Sequence, residues 1–142
     1  MAALNLVVIS GLSGSGKSHA LKAFEDAGYF CVDNLPPALL PTFVELCHQQ
    51  GGEIKNVALG IDIRERVFFG DLAKVLGELK AQGHALQLVF LEAREEVLVR
   101  RFSESRRPHP LLPHMPVVEG VRFERERLSE LRKHADRVID TS

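Results

Sequence analysis

Between the apolar run Leu6-Val7-Val8-Ile9 and a segment with helical spacing lies Gly11-Leu12-Ser13-Gly14-Ser15-Gly16-Lys17-Ser18, which satisfies G-x-x-x-x-G-K-[ST] at every position. No other feature limits the fold so strongly, because the pattern has a structural meaning only as a loop that leaves a strand and enters a helix. Glycines there let the backbone turn tightly and present its N–H groups to an anion, and the following helix adds the positive end of its dipole. Lys17 is placed to reach outer phosphates, and the Ser18 hydroxyl suits magnesium, a hard cation that takes oxygen ligands. The expected ligand is therefore a nucleoside triphosphate with Mg2+, ATP or GTP, held by Gly11, Leu12, Ser13, Gly14, Ser15, Gly16, Lys17 and Ser18.

Five short apolar runs, residues 4–10, 29–33, 57–62, 86–92 and 137–140, alternate with helical spacings at 17–27, 37–50, 63–82, 95–103 and 120–134, the third with a break expected near Gly70. Runs apolar on both faces, each followed by a crossover, predict an α/β fold whose five-stranded sheet is mostly parallel and covered by helices on both sides. Ligands in such sheets bind beyond the carboxyl ends of the strands, where the glycine-rich loop falls. Residues 103–119 hold Pro108, Pro110, Pro113 and Pro116, which predict a surface loop or flap. The 142 residues suit one domain over the whole chain, and the final apolar run stops at Asp140-Thr141-Ser142 without a closing helix, as in a domain cut from a longer chain.

Hydrophobic residues make up 45% and charged residues 26%, which excludes a disordered chain, and two cysteines are too few for a disulfide framework. Cys31 sits in an apolar run and is expected to be buried and inert. With 18 basic and 19 acidic side chains the formal charge is -1, so a chain-wide basic surface for nucleic acid is excluded and a local cluster is still allowed. The apolar run at residues 6–9 is too short for a membrane span and has no basic residue ahead of it, so the expected location is the cytoplasm, with no membrane partner.

Asp33, Asp62 and Glu92 each end an apolar run, and a phosphate loop needs one such acid to orient magnesium or its waters. The run Val57-Ala58-Leu59-Gly60-Ile61-Asp62 is the cleanest, and in P-loop kinases the third strand lies beside the first. Asp62 is therefore expected at the metal with Ser18 and in catalysis with Lys17. Arg64 follows as either a phosphate contact or a solvated helix-start residue near Glu65. Asp33 and Asn34 suit a second-substrate site and, equally, a turn and cap ahead of the next helix. Arg100, Arg101, Arg106 and Arg107 form the dense positive segment: a lid over the triphosphate, a patch for RNA phosphates, or plain surface. His19, a lone histidine without metal-ligand spacing, is expected to pack rather than to bind.

The loop is followed by Gly28-Tyr29-Phe30-Cys31-Val32-Asp33-Asn34-Leu35-Pro36, then Asp62-Ile63-Arg64, Arg106-Arg107-Pro108-His109-Pro110-Leu111, and Ala135-Asp136-Arg137-Val138-Ile139-Asp140-Thr141-Ser142. On these segments the chain resembles the RapZ/YvcJ family of bacterial nucleotide-binding proteins, also called RNase adapter proteins, over nearly its whole length. The resemblance implies a P-loop kinase-like three-layer fold that binds and hydrolyses ATP and GTP, with Gly11 to Ser18 as the ATP segment and Asp62, Ile63, Arg64 and Glu65 as a second, GTP segment. It also implies a C-terminal domain absent here, through which a small regulatory RNA and a ribonuclease are engaged in control of amino-sugar synthesis. Self-association into a homo-oligomer is left open. The alternative is a small-molecule kinase that passes the γ-phosphate to an unidentified acceptor.

Overall fold

The computed structural model describes residues 4–12, 14–49, 54–61, 68–105 and 116–142. Strand β1 (Asn5–Gly11) lies between β3 (Asn56–Ile61) and β4 (Ala85–Glu92), with β2 (Phe30–Leu35) outside β3 and β5 (Arg137–Asp140) outside β4. Every pair in this order, β2-β3-β1-β4-β5, is parallel. Parallel neighbours cannot be joined by a tight hairpin, so helical crossovers separate them. These are α1 (Lys17–Asp26), a 3-10 turn at Pro37–Leu39 with α2 (Leu40–Gln49), α3 (Phe68–Ala81), and then α4 (Glu95–Ser105), α5 (Val117–Arg127) and α6 (Ser129–His134) between β4 and β5.

Side chains alternate across the sheet and build two cores. Leu6 and Val8 of β1 face a large cluster with Leu40 of α2, Leu79 of α3, Leu98 of α4 and Leu131 of α6. Val7 and Ile9 face a smaller one with Leu21 and Phe24 of α1. The central run is apolar at successive positions because both of its faces are covered. At the amino ends of the strands, the buried His84 accepts the Leu4 N–H at Nδ1 (3.0 Å), which ties the entry of β1 to the entry of β4.

Several boundaries differ from the sequence expectation. The second strand continues through Asn34 to Leu35: a register irregularity after Val32, with Asn34 at φ 55°, lets Leu35 pair again with Ile61. Helix α3 runs through Gly70 without a break. The stretch expected to be a flap is helical at both ends, Ser103 to Ser105 in α4 and Val117 to Glu119 in α5, while residues 106–115 lie outside the described residues. Pro116 caps α5 in an extended conformation (ψ 143°), a place where a missing N–H costs no intrahelical bond. The last helix divides at Leu128, whose side chain turns into the large core. Cys47 is buried as a small apolar residue, whereas Cys31 is half-buried and donates its thiol to the Leu21 carbonyl (3.3 Å). Burial pushes both thiols above their ordinary pKa, with Glu25 adding to the rise at Cys31, so neither is a ready nucleophile.

Candidate functional site

The carboxyl end of β1 closes against β4 at Gly11. A Cβ on this residue would lie 2.2 Å from the Leu91 carbonyl oxygen and 2.8 Å from the Leu91 nitrogen, so the two backbones approach too closely for any side chain. Leu12 N–H donates to that carbonyl (3.1 Å), and Ser15 N–H turns back to the Leu12 carbonyl (3.0 Å). The chain then passes through Gly16, at φ 100°, into α1. No side chain caps this helix and no acidic residue stands in its first turn, so its orphan N–H groups and positive dipole end are unopposed.

A cleft of about 830 Å³ opens here, lined by Gly14 to Ala20 together with Leu91, Arg101, Ile139 and Thr141. Its described lining contains no carboxylate and three basic side chains, Lys17, His19 and Arg101, which makes it a place for an anion. Lys17 and Ser18 make no hydrogen bond or ion pair among the described residues, so the ammonium and the hydroxyl are both available. Arg101 is not: its guanidinium donates to the Gly14 carbonyl (2.8 Å), to the Thr141 carbonyl (2.6 Å) and to Thr141 Oγ1 (3.2 Å). The donor set fits a phosphate chain, and Ser18 fits a magnesium ion held mainly by phosphate and water. No cluster of three His, Cys, Asp or Glu capable of holding a metal by itself occurs among the described residues.

The structure thus brings Gly11, Leu12, Gly14, Ser15, Gly16, Lys17 and Ser18 to one end of the sheet. Ser13, the segment Asp62, Ile63, Arg64 and Glu65, and Arg106 and Arg107 lie outside the described residues. Arg100 is exposed on α4, and Arg101, one of the arginines read as lid, RNA patch or plain surface, is engaged with the backbone carbonyls of Gly14 in the loop and of Thr141 after β5. Asp33 accepts the Asn34 N–H (2.8 Å) and stands over β3, its Oδ1 2.6 Å from where a Cβ on Gly60 would be. His19, expected to pack, is exposed on the cleft wall. Leu91, Ile139 and Thr141 are not among the site residues expected from the sequence. They line the cleft because parallel pairing of β1, β4 and β5 aligns their carboxyl ends.

Glu92, one of the three competing acids, has a different occupation. Arg132 holds it with two bonds (2.8 and 2.9 Å) and Arg125 stands 4.0 Å away, tying α6 and α5 to the end of β4. The Arg132 hydrogen bonds, with the charges of Arg132 and Arg125, keep its carboxyl below the usual carboxylate range against the opposing effects of burial and Asp140. A carboxyl whose folded pKa is lowered stabilises the fold above its unfolded value, near about 4.3, and that contribution is lost as pH falls through the folded value. Glu92→Gln is accordingly expected to cost about 1 kcal/mol at neutral pH, small because Arg132 is half-exposed, and to converge on the wild type as the pH falls below the folded value. Urea unfolding at several pH values checks this, and a pH-independent difference would contradict it.

Fold and loop define a P-loop nucleotide-binding domain of the kinase-like kind. The chain belongs to the RapZ-like N-terminal domain family, whose model matches residues 4–142. It is 50% identical over 139 residues to a nucleotide-binding protein of Clostridium botulinum, covering 98% of this chain and 47% of that protein. It is 48% identical to a nucleotide-binding protein of Clostridium kluyveri with the same coverage. The chain therefore spans about half the length of the curated relatives it matches. Among solved structures, shikimate kinase from Bacteroides thetaiotaomicron superposes with a TM-score of 0.64 at 18% identity, covering 98% of this chain and 88% of that one. A gluconokinase from Sinorhizobium meliloti gives 0.55 at 20% identity, covering 100% and 85%. At such identities these two speak for the fold alone. No helix among the described residues is long and apolar enough to cross a membrane.

Proposed function

We propose that this chain is the magnesium-dependent ATP- and GTP-binding, hydrolysing domain of a RapZ-like regulatory RNase adapter protein. The observation that carries the reading is the cleft at the start of α1, whose described lining holds no carboxylate, with the Lys17 ammonium and Ser18 hydroxyl uncommitted beside uncapped helix N–H groups. In this reading Gly11 to Ser18 wrap the phosphates, the Gly16 N–H and Lys17 hold the outer phosphoryl oxygens, and Ser18 with Asp62 would hold Mg2+. The ion, when bound, neutralises charge on bridging and terminal phosphate oxygens. Lys17 keeps the transferred group in line and stabilises charge that grows in the transition state. Asp62 to Glu65 form the second nucleotide segment, Arg100, Arg106 and Arg107 a lid, and the whole protein acts in the cytoplasm with RNA and a ribonuclease through a further domain.

A second reading, transfer of the γ-phosphate to a small hydroxylated acceptor, is favoured by one observation. The Asp33 carboxylate overhangs Gly60 on the strand next to β1, at the same end of the sheet as the loop. The shikimate kinase and the gluconokinase among the fold neighbours lean the same way by analogy only. Labelled ATP supplied with magnesium, with and without a cell metabolite extract, separates the two. Release to water in both arms, with Asp62→Asn lowering turnover more than Asp33→Asn, is the expected result. A labelled organic phosphate in the extract arm, abolished by Asp33→Asn, would replace the first reading by the second.

A further inference from the structure

Two carbonyls of the phosphate loop are held by side chains from remote parts of the chain. The Thr141 hydroxyl, just after β5, donates to the Ser15 carbonyl at 2.7 Å, and Arg101 of α4 donates to the Gly14 carbonyl at 2.8 Å. The two side chains also brace one another, since Arg101 donates to both the carbonyl and the hydroxyl oxygen of Thr141. Thr141 is in turn fixed by its own N–H, which donates to the Glu92 carbonyl of β4 at 2.8 Å.

A peptide unit is planar, so fixing the direction of its C=O fixes the opposite direction of its N–H. The Ser15 carbonyl shares its plane with the Gly16 N–H. That N–H has no acceptor among the described residues and is a loop donor free to meet a phosphate oxygen. The Gly14 carbonyl shares its plane with the Ser15 N–H, which closes the turn onto the Leu12 carbonyl. Glycines on both sides of Ser15, at φ 82° and 100°, give these planes little intrinsic resistance to rotation, so their aim depends on what holds the carbonyls.

We infer that Thr141, braced by Arg101, is a positioning residue for phosphate binding: it aims the Gly16 N–H into the cleft by holding the far side of the same peptide. The inference rests on the reading of this cleft as the triphosphate site. It assigns to the residue after β5 a part in affinity that needs no contact with the ligand.

The test is calorimetric titration of the chain with Mg-ATP and, separately, with magnesium tripolyphosphate, which has the phosphate chain and no nucleoside. Thr141→Val keeps the shape and removes the donor. It is expected to weaken both ligands in parallel by about tenfold, the size of one lost hydrogen bond whose acceptor stays partly unsatisfied. The melting temperature without ligand should move by only about 2–4 °C. Thr141→Ser, which keeps the hydroxyl, should restore both affinities. Thr141→Ala carries the same expectation as valine should the latter disturb packing at Glu92. Wild-type affinity for both ligands in the valine and alanine variants would overturn the inference. So would a loss confined to Mg-ATP, which would make Thr141 a nucleoside contact, or a parallel loss that serine does not rescue. If the wild type itself binds neither ligand, the triphosphate reading of the cleft falls first, and the two failures are told apart.

Discussion

Lys17→Ala is expected to lower the affinity for Mg-ATP and Mg-GTP by about ten- to a hundredfold, because a charge-assisted bond to phosphate contributes about 1.5–3 kcal/mol. The wild-type ammonium makes no ion pair among the described residues and faces a cleft without a described carboxylate, so no described side chain competes with phosphate for it. For the same reason its removal takes little from the fold. The melting temperature without ligand should shift by less than about 2 °C, as for a surface substitution. Calorimetry with both nucleotides and a melting curve of each protein make the comparison. Unchanged affinity in a folded Lys17→Ala variant would remove the loop from the binding site.

Gly11→Ala should have the opposite profile, a loss of about 3–5 kcal/mol in stability or no folded protein at all. The added carbon would lie 2.2 Å from the Leu91 carbonyl oxygen and under 3 Å from two further backbone atoms, none of which can swing aside as a flexible side chain would. Relief requires β1 to part from β4 where the Leu12 N–H also meets that carbonyl. Gly16→Ala is the control, since its Cβ would meet nothing within 4 Å and only the left-handed backbone resists, at about 1–2 kcal/mol. Urea unfolding of the two variants gives the comparison. A Gly11→Ala protein at least as stable as Gly16→Ala would show that the strands do not close as described.

Local order was readable from the residues. Leu6 to Ile9 is apolar at successive positions because β1 is covered on both faces, and the loop pattern named its own strand and helix. The parallel sheet followed from the alternation of runs and crossovers. What escaped was set by tertiary partners. Nothing near Thr141 says that its hydroxyl meets Ser15, because that depends on β5 lying parallel beside β4 with Val89 opposite Arg137. Arg101 looked like the other arginines of its segment until the Gly14 carbonyl came within reach. Leu128 breaks a helix that propensity would continue, since its side chain is drawn into the core. His19 is exposed rather than packed because burial of a lone histidine is a matter of which helix face is covered, and α1 meets the sheet through Leu21 and Phe24. Asp33 and Asn34 allowed both a strand end and a turn, and the irregularity at β2 makes them a little of each.

The strand order has a consequence in time. β1 is made first, yet its two partners begin only at Asn56 and Ala85, and the loop that leaves it is braced by a residue at position 141. Each pairing must close a long loop of chain before it returns any contact energy, which places this sheet among slow-forming topologies. A chain emerging from the ribosome would therefore carry its glycine-rich segment exposed and shapeless until those later segments follow. Nucleotide capture would begin abruptly, only after β4 and then β5 had docked. The same order makes the central strand, apolar on both faces, the segment most in need of shielding while it waits.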